Sequence, residues 1–469
     1  MQSELSPLIN QQQQQQSQHQ QPSSEGTPQQ EPRDVEDQLP IAKKASKALK
    51  NRVIALDQYR GYTMLAMLFV NLCYSQDNIP DNFHAGYTYT AWHDTVEPGF
   101  MFCAGFAYRL VFLRNLKAFG WRGAVYRVFW IRVAALLIIS FCLEGFGPWA
   151  GLGWKTMSHL SFRDFWLHWF AQGPWQTLTH IATSMIWLIP VVSLGRLPRL
   201  AHMLLSIILK VTFVIQIYHH GPSDWKNSFL GQSGADSGPT GFLNHSLAMM
   251  LGTFAHDICL GEGIVDLLWL KKLFHLVTFN KFLYDEYQNA ATFHKALRGF
   301  ALFLCGFGWA LLAYFLTCFG SFAHFDYCCD IDVMRQTRQC VPISCHQPFW
   351  AENPFKMYGR DPFTVWTTSN MFGSVTYSLI CGGINMTGLS LMYLYNDVLQ
   401  YPKIALLDTF GANSLVAYVL AQSAGNAVQS TIPQDAPAAL FFCVAVPWYF
   451  WWAYMIQRYF EINAIYIAI

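Results

Sequence analysis

The chain has 469 residues, of which 53% are hydrophobic and 13% charged, with a net charge of +1. So apolar and charge-poor a composition excludes an ordinary soluble domain; the even charge balance says nothing about nucleic acid, and no basic stripe points to a nucleic-acid partner. Twelve cysteines without a C-x-x-C pair give no metal-site spacing, so no metal is expected.

Residues 1–42 are rich in Gln, Ser, Pro and Glu, with an unbroken glutamine run from Gln11 to Gln16. They cannot bury enough apolar surface to fold and read as a disordered cytoplasmic tail. No apolar core lies near Met1, so no cleavable signal peptide is expected. The remainder, 43–469, reads as one transmembrane domain that opens on the basic run KKASKALKNR, which should stay in the cytoplasm.

Ten apolar stretches long enough to cross a bilayer follow: Val53–Tyr74, Ala91–Phe112, Val128–Phe146, Trp175–Leu194, Ala201–Tyr218, Gly241–Leu260, Phe300–Gly320, Val365–Leu394, Ile404–Ala427 and Ala438–Met455. The fold class is therefore all-α, a polytopic helix bundle of about ten spans with both termini cytoplasmic. Of the 30 Lys and Arg, 22 fall in segments this topology puts inside and 7 in segments it puts outside.

The connections differ in character. Loop 147–174 is aromatic and suits the outer interface, whereas 219–240 is Gly-rich, either a plain flexible link or a segment able to approach a substrate. Within 261–298, LLWLKKLFHLVTFNKFLYDEY is amphipathic and basic, which suits the cytoplasmic surface rather than a span. Cys328, Cys329, Cys340 and Cys345 share one loop and would form one or two disulfides in an oxidising compartment. No internal repeat is visible, which counts against an inverted-repeat transporter.

The densest set of polar groups lies on the first hairpin, from Asn51 to Gly105. Asp57 and Arg60 share a helix face, and Asn71 lies about 17 Å farther along the axis. His84 is in the turn, and His93, Asp94 and Glu97 open the second span. Polar groups at membrane depth are costly unless they face a partner or a cavity, so the cluster marks a polar path. His84 is the candidate base or nucleophile, Asn71 a donor to a developing oxyanion, Asp94 an orienting carboxylate, and Arg60 with Asp57 an anion-binding pair. Plainer readings stand beside these. Asn71 can simply join two helices, Arg60 and Asp57 can form a boundary salt bridge, and His93 or Glu97 can serve in place of His84.

Asp57-Gln-Tyr-Arg60-Gly61, then Met67-Leu-Phe-Val70-Asn71, then His84-Ala85 with Asp94, Val96, Pro98, Phe100, Phe102 and Gly105, resembles the heparan-α-glucosaminide N-acetyltransferase family and its bacterial membrane relatives. Gly241-Phe-Leu-Asn244 and Gly411-Ala-Asn413-Ser414 with Tyr418 resemble later spans of that family. A Gln-Arg pair of its fourth core span reads Thr179-His180 here, and a glutamine-rich tail replaces the luminal domain of the animal enzyme. The resemblance implies acyl transfer from cytoplasmic acetyl-CoA, the sole cofactor, to an amino-sugar or glycan acceptor beyond the membrane. It further implies membrane lipid as a partner, is compatible with a homodimer, and implies residence in the inner or plasma membrane of a bacterium or in a lysosomal or other endomembrane of a eukaryote. The alternative is a transporter or channel whose polar residues line a solute path.

Overall fold

The computed structural model describes residues 53–73, 76, 78–83, 90–145, 175–220, 238–261, 290–318, 373–433 and 435–463, with isolated positions at 161, 163, 328–329, 342–343, 366, 368 and 465. The chain divides into Met1–Arg52 and Val53–Ile469. The expected tail, His84, Cys340, Cys345 and most of the loops at 147–174, 219–240 and 261–298 lie outside the described residues.

The described residues of Val53–Ile469 are mostly helical. Its principal helices are α1 (Ile54–Cys73), α2 (Val96–Arg127), α3 (Ala134–Ser140), α4 (Thr177–Leu188), α5 (Arg196–His220), α6 (Gly241–Leu260), α7 (Ala290–Cys318), α8 (Val375–Tyr393), α9 (Ala405–Ala412), α10 (Ser414–Thr431) and α11 (Val446–Ile462). The extended pairing among the described residues is a two-residue antiparallel ladder, β1 (Cys328–Cys329) on β2 (Pro342–Ile343).

Among the described residues, four helical runs are long and apolar enough to cross a membrane: His93–Leu143, Thr292–Thr317, Val375–Val398 and Ala438–Ile462. The last turns Trp448, Trp451 and Trp452 outward, a surface suited to lipid rather than water. Val375–Val398 is the opposite case, with 72% of its most apolar stretch buried against 17% in Ala438–Ile462. The reason is that α8 packs on α1, α2, α6 and α7 together.

Side-chain contacts fix which way the helices run. Glu97 in the first turn of α2 lies beside His245 in the first turn of α6, and Arg109 farther along α2 meets Asp257 farther along α6, so the two are parallel. Ala55 at the start of α1 bonds Asp397 just beyond α8, whereas Tyr59 bonds Asn385, so α1 and α8 are antiparallel. The start of α9 and the end of α11 meet at Thr409 and Glu461, and the far ends of α10 and α11 meet at Thr431 and Tyr449. One end of the bundle therefore holds Arg60 and the other holds Asn71. At the α2–α6 crossing a Cβ on Gly105 would overlap the Met249 carbonyl and one on Gly252 would overlap that of Phe102, so glycine sets how closely these helices approach.

Three stretches differ from the sequence reading. The second and third expected spans are joined by helix, because Arg and Lys are good helix formers and their charge says nothing about propensity. The reversal falls on Gly120, with φ 68° and ψ −178°, a conformation almost restricted to glycine. It brings the rings of Phe112 and Trp121 to 5.5 Å. Within the expected span Val365–Leu394, α8 begins at Val375, where the Ser374 hydroxyl accepts from the Tyr377 N–H at 3.3 Å as an N-cap. The expected span Ile404–Ala427 is broken at Asn413, between α9 and α10.

Candidate functional site

Asp57 and Arg60 meet as their spacing predicts: Arg60 Nη2 donates to Asp57 Oδ1 at 3.1 Å. The same guanidinium donates through Nε at 3.0 Å and Nη2 at 2.6 Å to the carbonyl of Gly411. That carbonyl lies beside the break at Asn413, and backbone groups released by a broken helix need partners inside a membrane protein. Arg60 thus caps the break. Its side chain remains 24% exposed, and Arg132, just beyond the α2 reversal, stands close enough to Arg60 and Arg114 for their charges to interact.

Asn71 occupies the far end of α1, on the same helix face as Arg60. Its amide nitrogen is shielded from solvent and finds no acceptor among the described residues. Asp94 is buried in the turn before α2, where its Oδ2 accepts from the Ala91 N–H at 2.9 Å and its backbone carbonyl accepts from the Tyr377 hydroxyl at 2.8 Å. The imidazole recorded beside it is His93, with Nδ1 3.7 Å from Asp94 Oδ1. Asp57 and Arg60 are therefore brought together, whereas Asn71 and Asp94 both lie toward the far end of the bundle.

Two further polar clusters lie along α2 and α6, about 18 Å apart at the rise of an α-helix. At the Asn71 end, His180 of α4 stacks obliquely on His245 of α6, with ring centroids 4.7 Å apart, and Trp175 lies 5.9 Å from His180. His245 Nε2 stands 3.8 Å from Glu97 Oε1. Asn244 is fully buried next to them, and neither end of its amide is hydrogen-bonded. Two imidazoles and a carboxylate in so dry a setting can hold and pass a proton.

At the Arg60 end the charged groups are closely paired, and His256 Nδ1 also stands 3.2 Å from Asp257 Oδ1. Asp257 accepts from Arg109 Nε at 2.5 Å through Oδ1 and from Arg199 Nη2 through Oδ2. Arg199 also donates to Thr253 Oγ1 at 2.8 Å and covers the ring of Phe254 at 4.7 Å. Arg109 donates in addition to the carbonyls of Val192 and Leu194, which fixes the end of α4 against α2 and α6.

A cavity of about 260 Å³ lies between α1, α8 and the turn preceding α2, lined by residues that include Tyr59, Tyr62, Ala66, Thr90, Trp92 and Asn385. Asn385 is locked in its wall: Oδ1 accepts from the Tyr59 hydroxyl at 2.7 Å, and Nδ2 donates to Thr95 O at 3.0 Å and Cys381 O at 2.7 Å. The cavity opens on a stripe of α1 about a quarter turn from Arg60 and Asn71, so it is separate from the face that carries them. Among the described residues no three His, Cys, Asp or Glu side chains converge as a metal ion requires.

His180, His245 and Asn244 carry no functional reading from sequence, although each sits in a stretch the sequence makes visible, the Thr179-His180 pair and the Gly241-x-x-Asn244 span. Nothing in their spacing joins positions 97, 180 and 245. Compared with protein-family models and with curated proteins, the chain matches none.

Proposed function

We propose that the protein is a membrane-embedded acyltransferase that moves an acetyl or other acyl group from cytoplasmic acetyl-CoA to an amino-sugar or glycan acceptor on the opposite side. The observation that carries this reading is the Asn71 amide, a buried donor without an acceptor at one end of a helix whose other end presents Arg60. A preorganised donor left unpaired is the arrangement that stabilises an oxygen only when negative charge develops on it. The helix directions, α1 opposite to α8 and α10 opposite to α11, support ten spans with both termini cytoplasmic, and the excess of Lys and Arg at the Arg60 end supports calling that end cytoplasmic.

In this reading Arg60, Arg114 and Arg132, three guanidiniums with Asp57 as their carboxylate, suit the phosphates of CoA. His84 takes the proton as the acceptor nitrogen bonds to the thioester carbonyl carbon, and Asn71 donates to the carbonyl oxygen. Collapse then breaks the carbon–sulfur bond, and the thiolate leaves to be protonated as CoA thiol. Asp94, with His93 beside it, holds the turn that leads into α2. Membrane lipid is the solvent partner, and the compartment is a bacterial inner or plasma membrane or a eukaryotic endomembrane.

The test is purified full-length chain in lipid nanodiscs with acetyl-CoA and a panel of amino sugars, read by mass spectrometry as acetylated acceptor and released thiol in equal amounts. His84→Ala and Asn71→Ala lower the rate by about a hundredfold or more while the melting temperature holds. The second reading, a transporter, draws on the broken helix at Asn413. Solute uptake into vesicles without CoA, together with no thiol release, would favour it over acyl transfer.

A further inference from the structure

The cavity beside α1 has a shape and a polar inventory that select a ligand. Its α1 wall is made by Tyr59, Tyr62, Thr63 and Ala66, a stripe parallel to the helix axis and about 10 Å long, so the space is a slot rather than a sphere. At about 260 Å³ it lies just below the range of roughly 300–1,000 Å³ typical of small-molecule pockets, enough for one chain and too little for a two-tailed lipid.

Most of the polar groups around it are already committed. Thr63 Oγ1 donates to Arg60 O at 2.8 Å and Thr95 Oγ1 to Trp92 O at 2.8 Å. Tyr59 and Asn385 bond one another, and both protons of the Asn385 amide go to backbone carbonyls. Among the described residues two groups remain. Thr90 Oγ1 is buried without a partner there, and the Tyr62 hydroxyl accepts from Trp92 Nε1 at 3.3 Å but keeps its own proton to give. A sugar ring would bring several hydroxyls to meet two partners, at about 1–3 kcal/mol for each left unpaired. Ordered water would find too few polar neighbours along the rest of the slot.

We propose that the slot binds one aliphatic acyl chain, its carbonyl oxygen accepting from Thr90 and Tyr62 and its methylenes lying along Tyr59, Ala66 and Trp92. Ile384, 38% exposed at the rim, leaves the entrance on the outer surface of the bundle. The chain can come from an acyl thioester or from a membrane lipid ester. The binding claim therefore does not depend on acyl transfer, and only the thioester source rests on that reading.

The full-length protein in nanodiscs is irradiated with two probes in separate arms, a medium-chain acyl-CoA and a phosphatidylcholine, each carrying a diazirine on the acyl chain. Peptide mapping should place adducts on Tyr59, Tyr62 or Trp92. Ala66→Trp, which fills the slot, should reduce them about tenfold or more, and Thr90→Val, which removes one hydrogen bond, about fivefold with the melting temperature kept. Adducts confined to outward-facing residues such as Trp448 and Trp451, or unchanged in both variants, would overturn the proposal. If Ala66→Trp does not fold, Thr90→Val alone decides in the same sense. Labelling by both probes, or by the acyl-CoA alone, supports the slot with a thioester source. Labelling by the phospholipid alone supports it as a lipid site and withdraws only the thioester source.

Discussion

The two ends of the α2–α6 pair solve the burial of charge in opposite ways. At the Arg60 end one carboxylate, Asp257, receives two guanidiniums, and further donors from those arginines go to Thr253, Val192 and Leu194. At the Asn71 end the ionisable contacts are looser: 3.8 Å between His245 and Glu97 and 3.7 Å between His93 and Asp94, beyond hydrogen-bond range. The same helices, parallel and locked at Gly105 and Gly252 between the clusters, impose the same frame on both. The contrast separates a cluster closed by short ion pairs from one whose ion contacts are longer.

The sharpest way to break this comparison is Asp257→Ala, which leaves Arg109 and Arg199 buried without their carboxylate. We expect a loss of about 3–5 kcal/mol, read as a large fall in melting temperature in detergent. An unchanged melting temperature would mean that Asp257 is not the staple. Gly105→Val, between the two layers, forces α2 away from the Met249 carbonyl and should cost about 1–3 kcal/mol in the same assay. His245→Gln should stay within about 1 kcal/mol of the parent in stability and alter the pH profile of thiol release. Unfolding on the scale of Asp257→Ala would erase the distinction between the ends. Smallest of all, Asp57→Asn should cost about 1 kcal/mol or less, because Arg60 keeps both bonds to the Gly411 carbonyl. A larger cost would show that the Asp57 carboxylate, rather than the broken helix, holds that guanidinium in place.

The helices were legible in the sequence because apolar runs of membrane length survive any detail of packing. The Asp57–Arg60 pair was legible too, being one helical turn apart. Asp257 was not, since its partners lie at positions 109 and 199 and only the fold joins them. Arg109 and Arg199 entered the sequence reading solely as topological charges, and charge counts do not distinguish a snorkelling side chain from a buried one. The break at Asn413 was hidden for a related reason: the expected span Ile404–Ala427 contains no proline to announce it, and Asp408, Gly411 and Asn413 are tolerated inside apolar helices. His180 and His245 looked like scattered polar residues until three helix starts were brought to one level.

The reversal at Gly120 has a consequence for how the protein is made. A connector of one residue has no slack, so the helices on either side cannot enter the bilayer separately and wait for one another; they are delivered as a pair. A Cβ at that position would meet open space, so what resists replacement is the backbone conformation itself, with φ 68° and ψ −178°, rather than any neighbouring atom.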